Sequence, residues 1–175
     1  MATVENSRPV RANFARTDSA APQMAVGRIG PWQLVRLLHE SDLARVYLCR
    51  PADSAQDQPA NYVLKVLRKE WWRDPQAIEM QRRASWLGST ISHPHLLPVL
   101  SSSVSQAPFF FVSPKIEGRT LAEILSSGSL TMPIILWIGR QVAEALTALH
   151  ESTGMVHADV KPGNILVSAE GHTTL

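Results

Sequence analysis

The segment MVHADVKPGNILV, residues 155–167, constrains this chain more than any other stretch. It sets His157, Asp159, Lys161, Pro162 and Asn164 in the pattern HxDxKPxN. It gathers a carboxylate, an ammonium and a carboxamide within the six positions 159–164. Ahead of it, Ile135, Ile138, Val142, Ala145 and Leu149 recur at helical spacing and predict a long helix over 133–152 that Gly154 closes. Behind it, residues 164–168 read as a strand and 169–171 as a turn.

Upstream the periodicity is different. Trp32, Leu34 and Arg36 alternate with Gln33, Val35 and Leu37, and Val46 and Leu48 with Tyr47 and Cys49, which predicts two strands joined through 39–43. Residues 62–67 read as a third strand with Lys65 inside it. Asp74 before Pro75 is a helix start, an acceptor for free backbone amides followed by a ring whose fixed φ suits the first turn. Met80, Ala84, Leu87 and Ile91 then give that helix an apolar face. Strands near 96–100 and 109–113 and a short helix near 121–125 follow. The order is strands, helix, strands, helices, with no internal repeat.

Composition narrows the function. Hydrophobic residues make up 45% and charged residues 18% of 175, as in a soluble globular protein of one domain or little more. Residues 1–30 have no apolar periodicity and are expected to form a flexible leader, an organelle transit peptide being the alternative. The excess positive charge lies there, on Arg8, Arg11, Arg16 and Arg28 against Glu5 and Asp18. Beyond residue 30 acidic and basic residues balance, so neither nucleic acid nor an anionic membrane is an expected partner. The most apolar stretch, 132–138, is too short to span a bilayer. A single cysteine, Cys49, excludes an internal disulfide and a Cys-based zinc site, which makes the cytoplasm the expected compartment.

HxDxKPxN resembles the catalytic loop of the eukaryotic-like, bacterial-type Ser/Thr protein kinases, and the chain from Trp32 onward can be laid along that fold. YVLK around Lys65, SHPHL from Ser92 and IEGRTL from Ile116 are similar to the family's lysine strand, the loop after its first helix, and its hinge. The resemblance implies a protein-kinase-like α+β fold: an N-lobe of antiparallel sheet plus one helix over 31–113, then a hinge and an incomplete helical C-lobe over 114–175. It implies ATP and magnesium as ligands and a Ser or Thr hydroxyl of a protein as acceptor, Lys161 favouring Ser/Thr over Tyr. Phosphoryl transfer needs a carboxylate to orient and deprotonate the attacking hydroxyl, a cation near the transferred phosphate and a magnesium ligand. The resemblance gives these roles to Asp159, Lys161 and Asn164. It makes Lys65 the holder of the α and β phosphates, Ser113 the gatekeeper, Pro114, Lys115 and Ile116 the hinge, and Val46 and Val63 walls of the adenine pocket. His157 is implied to be a packed, backbone-bonding residue, not a catalytic one.

The sequence also departs from the family. His39, Glu40, Ser41 and Asp42 stand where closely spaced glycines would let backbone amides approach phosphate, and the two acids are expected to repel a nucleotide. Ala84 stands where a glutamate would pair with Lys65; Glu79 is about 140° away around the helix, and Gln81 offers only a neutral hydrogen bond. Ala158 replaces the arginine that commonly precedes the aspartate. HTTL should lead into the DFG magnesium aspartate, but the sequence stops at Leu175, so a truncated domain of low or no activity is expected, with the stripe of the long helix short of neighbours. Two further readings stay open: a pseudokinase or scaffold that binds partners without transfer, and a small-molecule kinase of the aminoglycoside-phosphotransferase type.

Overall fold

The computed structural model describes residues 27–55 and 57–175. The alternating segment becomes an antiparallel sheet of β1 (Gly27–Ile29), β2 (Trp32–Glu40), β3 (Ala44–Pro51), β4 (Tyr62–Leu67), β5 (Ser101–Ser103) and β6 (Phe110–Pro114), in the order β1-β2-β3-β4-β6-β5. The expected leader is shortened at its end, because Gly27–Ile29 pairs with Trp32–Leu34; the rest of it lies outside the described residues. The strand expected at 96–100 is displaced to Ser101–Ser103. Residues 95–97 instead make backbone bonds to the end of the chain, Leu97 N donating to Leu175 O and Leu175 N to His95 O, each at 2.9 Å. One face of the sheet buries Leu34, Cys49, Leu64, Val66, Phe110 and Val112. Each large apolar side chain so buried contributes about 1.5–3 kcal/mol.

Helix α1 (Pro75–Thr90) begins as its sequence predicts, Asp74 accepting from Ala77 N at 2.7 Å. Its packed face is not the expected one. Ala77, Gln81 and Ser85 are buried, whereas Met80 is 61% exposed and Met80, Ala84, Leu87 and Ile91 line a cleft. Apolar spacing reveals a stripe without revealing what it faces. Here the sheet takes a small and polar face because Gln81 Nε2 donates to the Lys65 carbonyl at 3.2 Å.

Past β6 the chain forms β7 (Arg119–Thr120), α2 (Leu121–Ser126), α3 (Met132–Thr153), β8 (Leu166–Val167) and β9 (Thr173–Thr174), the three strands pairing as β7-β8-β9. Thr120 and Glu123 cap α2 reciprocally, and Gly154 ends α3 at φ 67°, a left-handed conformation that suits glycine. Gly118 permits a closer approach: a Cβ there would sit 2.4 Å from the Val167 carbonyl oxygen. The strand expected at 164–168 shrinks to Leu166–Val167, since Pro162–Asn164 coil into a 3-10 turn.

Burial along α3 includes Ile138, Ala145 and Leu149 but substitutes Gln141 for the expected Val142, which is half-buried; Ile135 is exposed. Gln141 serves β9, accepting from Thr173 N at 2.9 Å and donating to Gly171 O at 3.0 Å. The stripe is therefore covered by Ile124, Ile165, Val167 and Leu175, and the exposed apolar residues Met132, Leu136 and Trp137 gather at the start of the helix. Among the described residues no helix is long and apolar enough to cross a membrane.

Candidate active site

Gly154 releases the chain from α3 into the HxDxKPxN loop, which folds on itself. His157 Nδ1 accepts from Asp159 N at 3.3 Å. Lys161 Nζ lies 2.8 Å from Asp159 Oδ1 and 3.0 Å from Oδ2. Asn164 Nδ2 donates to the Asp159 carbonyl at 3.0 Å and to its Oδ2 at 2.8 Å. The lysine first, and the carboxamide after it, hold the Asp159 carboxyl below the usual carboxylate range. The side chain remains 60% exposed, so an ionised carboxylate is presented to whatever enters. Partial burial pushes the His157 imidazole down, which keeps it neutral and fits a packed, backbone-bonding role. Both donor hydrogens of the Asn164 amide are spent on Asp159, leaving its Oδ1 as a free oxygen ligand.

Opposite the loop, the sheet and α1 form the other walls of a cleft of about 570 Å³, a size that suits a nucleotide. Val46, Val63, Lys65 and Ser113 line it together with Asp159 and Asn164. The register explains the grouping: Val46 is paired with Lys65 across β3 and β4, and Val63 with Ser113 across β4 and β6. Ile116 lies off these walls, and Lys161 reaches the cleft only through Asp159. Lys65 is exposed as a residue, yet the walls partly desolvate its ammonium and lower its pKa, while the Asp159 charge opposes that shift. Its Nζ stands 5.9 Å from the Phe111 ring centroid, within the range of a cation–π contact. Ser113 Oγ is buried and has no hydrogen-bond partner among the described residues, as befits an atom that a bound group would satisfy.

The β2–β3 turn corrects one expectation. Glu40 does not face the cleft as a bare charge: its carboxylate takes Arg45 Nε at 2.8 Å and stands 3.7 Å from Arg68 Nη1. The turn is braced from below, Trp71 Nε1 donating to the Asp42 carbonyl at 2.8 Å and Arg68 Nη1 to the Ser41 carbonyl at 3.3 Å. Arg83 on α1 was not singled out by its sequence. It lines the cleft beside Ala84, and its Nη2 donates to the Val156 carbonyl at 2.6 Å, tying α1 to the segment that enters the HxDxKPxN loop. No local motif marks an arginine that acts across 73 residues of chain.

Comparison with known proteins bears on the family and the fold. The chain is 35% identical to the serine/threonine-protein kinase PknD of Mycobacterium tuberculosis over 156 residues, 86% of this chain and 22% of that protein. It is 29% identical to the serine/threonine-protein kinase PrkC of Bacillus subtilis over 144 residues, again 22% of the relative's length. The fold is similar to that of the PknI kinase domain of Mycobacterium tuberculosis, with a TM-score of 0.71 at 22% identity, covering 90% of this chain and 60% of that one. Residues 32–175 match the family described as the protein kinase domain, and it is to this family that the chain belongs.

Proposed function

We propose that the cleft binds ATP and supports transfer of its γ-phosphate to a Ser or Thr hydroxyl of a protein. The observation that carries this reading is the Asp159 carboxylate, held by Lys161 and Asn164 and facing the same cleft as Lys65. Val46 and Val63 offer apolar walls for adenine, and Lys65 an ammonium for the α and β phosphates. Asn164 Oδ1 would hold a magnesium ion that arrives with the phosphates, and that ion neutralises charge on the β and γ oxygens when bound. Asp159 orients the acceptor hydroxyl and takes its proton as the hydroxyl oxygen bonds to the γ-phosphorus and the β–γ bridge bond breaks, ADP leaving. Lys161, already on Asp159, steadies the charge of the transferred group.

A thermal-shift titration with ATP and magnesium, beside Lys65→Ala, tests the site. Saturation at about 100 times Kd adds about 2.7 kcal/mol to stability, a rise of several degrees that the variant should lose. Phosphate incorporation into a protein acceptor, beside Asp159→Asn, tests the chemistry; transfer that survives in the variant removes Asp159 from its role. Ala84 and the braced β2–β3 turn favour a second reading, a nucleotide-binding module without transfer. ATP binding with no incorporation would select it.

A further inference from the structure

We infer that Arg83 is a positioning residue for Asp159, fixing where the segment that carries this carboxylate stands against α1 and the sheet. The inference rests on the transfer reading above and adds to the same site a residue that acts through others. Residues 155–158 leave α3 on bonds that are nearly all local. Met155 N donates to Thr153 Oγ1 at 3.1 Å, and Asp159 N to His157 Nδ1 at 3.3 Å, with Ala158 between the last two at φ 65°. Lys161 and Asn164 hold the carboxylate from the other side. Bonds of this kind fix the shape of the loop without fixing where the loop stands. Among the described residues, one hydrogen bond ties 155–158 to a distant segment, that of Arg83 Nη2 to the Val156 carbonyl at 2.6 Å, across 73 residues of chain.

The place of that bond lets it act on Asp159. A charged donor makes a short, strong hydrogen bond, and this one holds the peptide that joins Val156 to His157. The ring of His157 then receives the Asp159 amide. Burial, aided by the Arg83 charge against the pull of Asp159, pushes the imidazole down, so Nδ1 stays unprotonated and able to accept. Arg83 and Asp159 line the same cleft, one from α1 and the other from the loop. Arg82, the residue before, makes a comparable bond with another end: its Nε donates to the Val104 carbonyl at 2.9 Å, and neither residue lines the cleft. Two arginines thus anchor one helix to two segments, and only the bond of Arg83 ends on the segment that carries Asp159.

Arg83→Met, which keeps an apolar stem and removes the donor, is compared with Arg82→Met in the 175-residue chain. Hydrogen exchange at the Asp159 amide, read by NMR, is expected to quicken about tenfold in Arg83→Met and to stay within about twofold in Arg82→Met. The Asn164 side-chain amide resonances should hold in both, since they report the loop's own bonds. In transfer assays with a protein acceptor, kcat and kcat/KM for ATP should fall together by about tenfold or more in Arg83→Met, because a misplacement of about 1 Å at a reacting group can cost about a hundredfold. KM should stay within about twofold, the sheet still holding the nucleotide. Because the bond is single, Arg83→Lys should recover most of both losses, whereas the shorter Arg83→Gln should behave as Arg83→Met does. Equal effects of the two arginines at Asp159, or a raised KM with kcat kept, would make Arg83 a structural or binding residue and overturn the inference. The expected exchange pattern in a chain that transfers no phosphate would remove the transfer reading and leave the placing of Asp159 by Arg83 supported.

Discussion

Across the cleft, the loop of residues 157–164 and the wall made by α1 with the β2–β3 turn hold their polar groups by different means. On the loop, every bond to the Asp159 carboxylate comes from within five residues of it, from Lys161 and Asn164. On the wall each bond joins distant segments: Gln81 to the Lys65 carbonyl, Arg83 to that of Val156, Trp71 to that of Asp42. A local constellation closes whatever the lobes do around it. The wall exists only while α1, the sheet and the turn stay in register, so packing faults should damage binding at the wall before they reach the loop's chemistry.

Gly88→Ala would press hardest on that difference. A Cβ there would lie 2.6 Å from Val99 Cγ2 and 3.2 Å from the Leu97 carbonyl oxygen, at the point where Val99 N donates to Gly88 O at 2.8 Å. Overpacking of this kind costs about 1–3 kcal/mol. We expect a loss near the upper end by chemical denaturation, with weaker ATP binding as α1 is pushed out, while the Asn164 amide resonances stay in place. Resonances that move along with α1 would mean that the loop depends on the wall after all. Gln81→Ala comes next, removing a buried donor and leaving the Lys65 carbonyl unpaired. About 2 kcal/mol should be lost, against well under 1 for the exposed Gln76→Ala on the same helix.

How far each region could be read in advance follows from the same contrast. Asp159, Lys161 and Asn164 were legible because their spacing is their geometry. Lys65, Val46, Val63 and Ser113 were legible only through the resemblance around YVLK and the hinge, since a strand lysine alone reads as a solvated face; the pairings of Val46 with Lys65 and of Val63 with Ser113 that group them are a matter of strand register. Gln81, Arg83 and Gln141 were not, because a polar residue reads as a solvated face until its partner is known, and their partners lie 16, 73 and 32 residues away. Glu40 was misjudged for the same reason: its charge was visible, but Arg68, which helps to compensate it, belongs to the segment after β4. The apolar stripe of α1 was legible from its spacing, but spacing does not say that Met80, Ala84 and Leu87 line the cleft while Ala77, Gln81 and Ser85 are the residues buried.

Ala158→Gly sharpens the comparison from the loop's side. Ala158 holds φ at 65°, a left-handed conformation that costs an L-residue roughly 1–2 kcal/mol. Glycine removes that cost but adds freedom to the unfolded chain, worth about 0.5–1 kcal/mol. A net gain of about 0.5 kcal/mol is expected in denaturant melts, with ATP affinity unchanged because the strain belongs to the loop alone. A fall in stability would show that Ala158 is held at no cost by contacts its side chain makes.

The smallest effect concerns His157, where the two regions touch. Its imidazole is pushed below the ordinary 6.5, first by burial and further by the Arg83 charge, with Asp159 opposing. The folded chain then binds fewer protons than the unfolded chain once the pH falls below about 6.5, so stability is full above that value and declines as the pH drops through the window down to the folded pKa. Below both values the loss is complete and the slope vanishes. Arg83→Gln removes a cation from beside the ring, so the His157 resonance should titrate at higher pH and the pH-dependent loss should shrink. An unmoved titration would mean that Arg83 holds the Val156 carbonyl without its charge reaching the loop, and the two walls would then be coupled by a hydrogen bond alone.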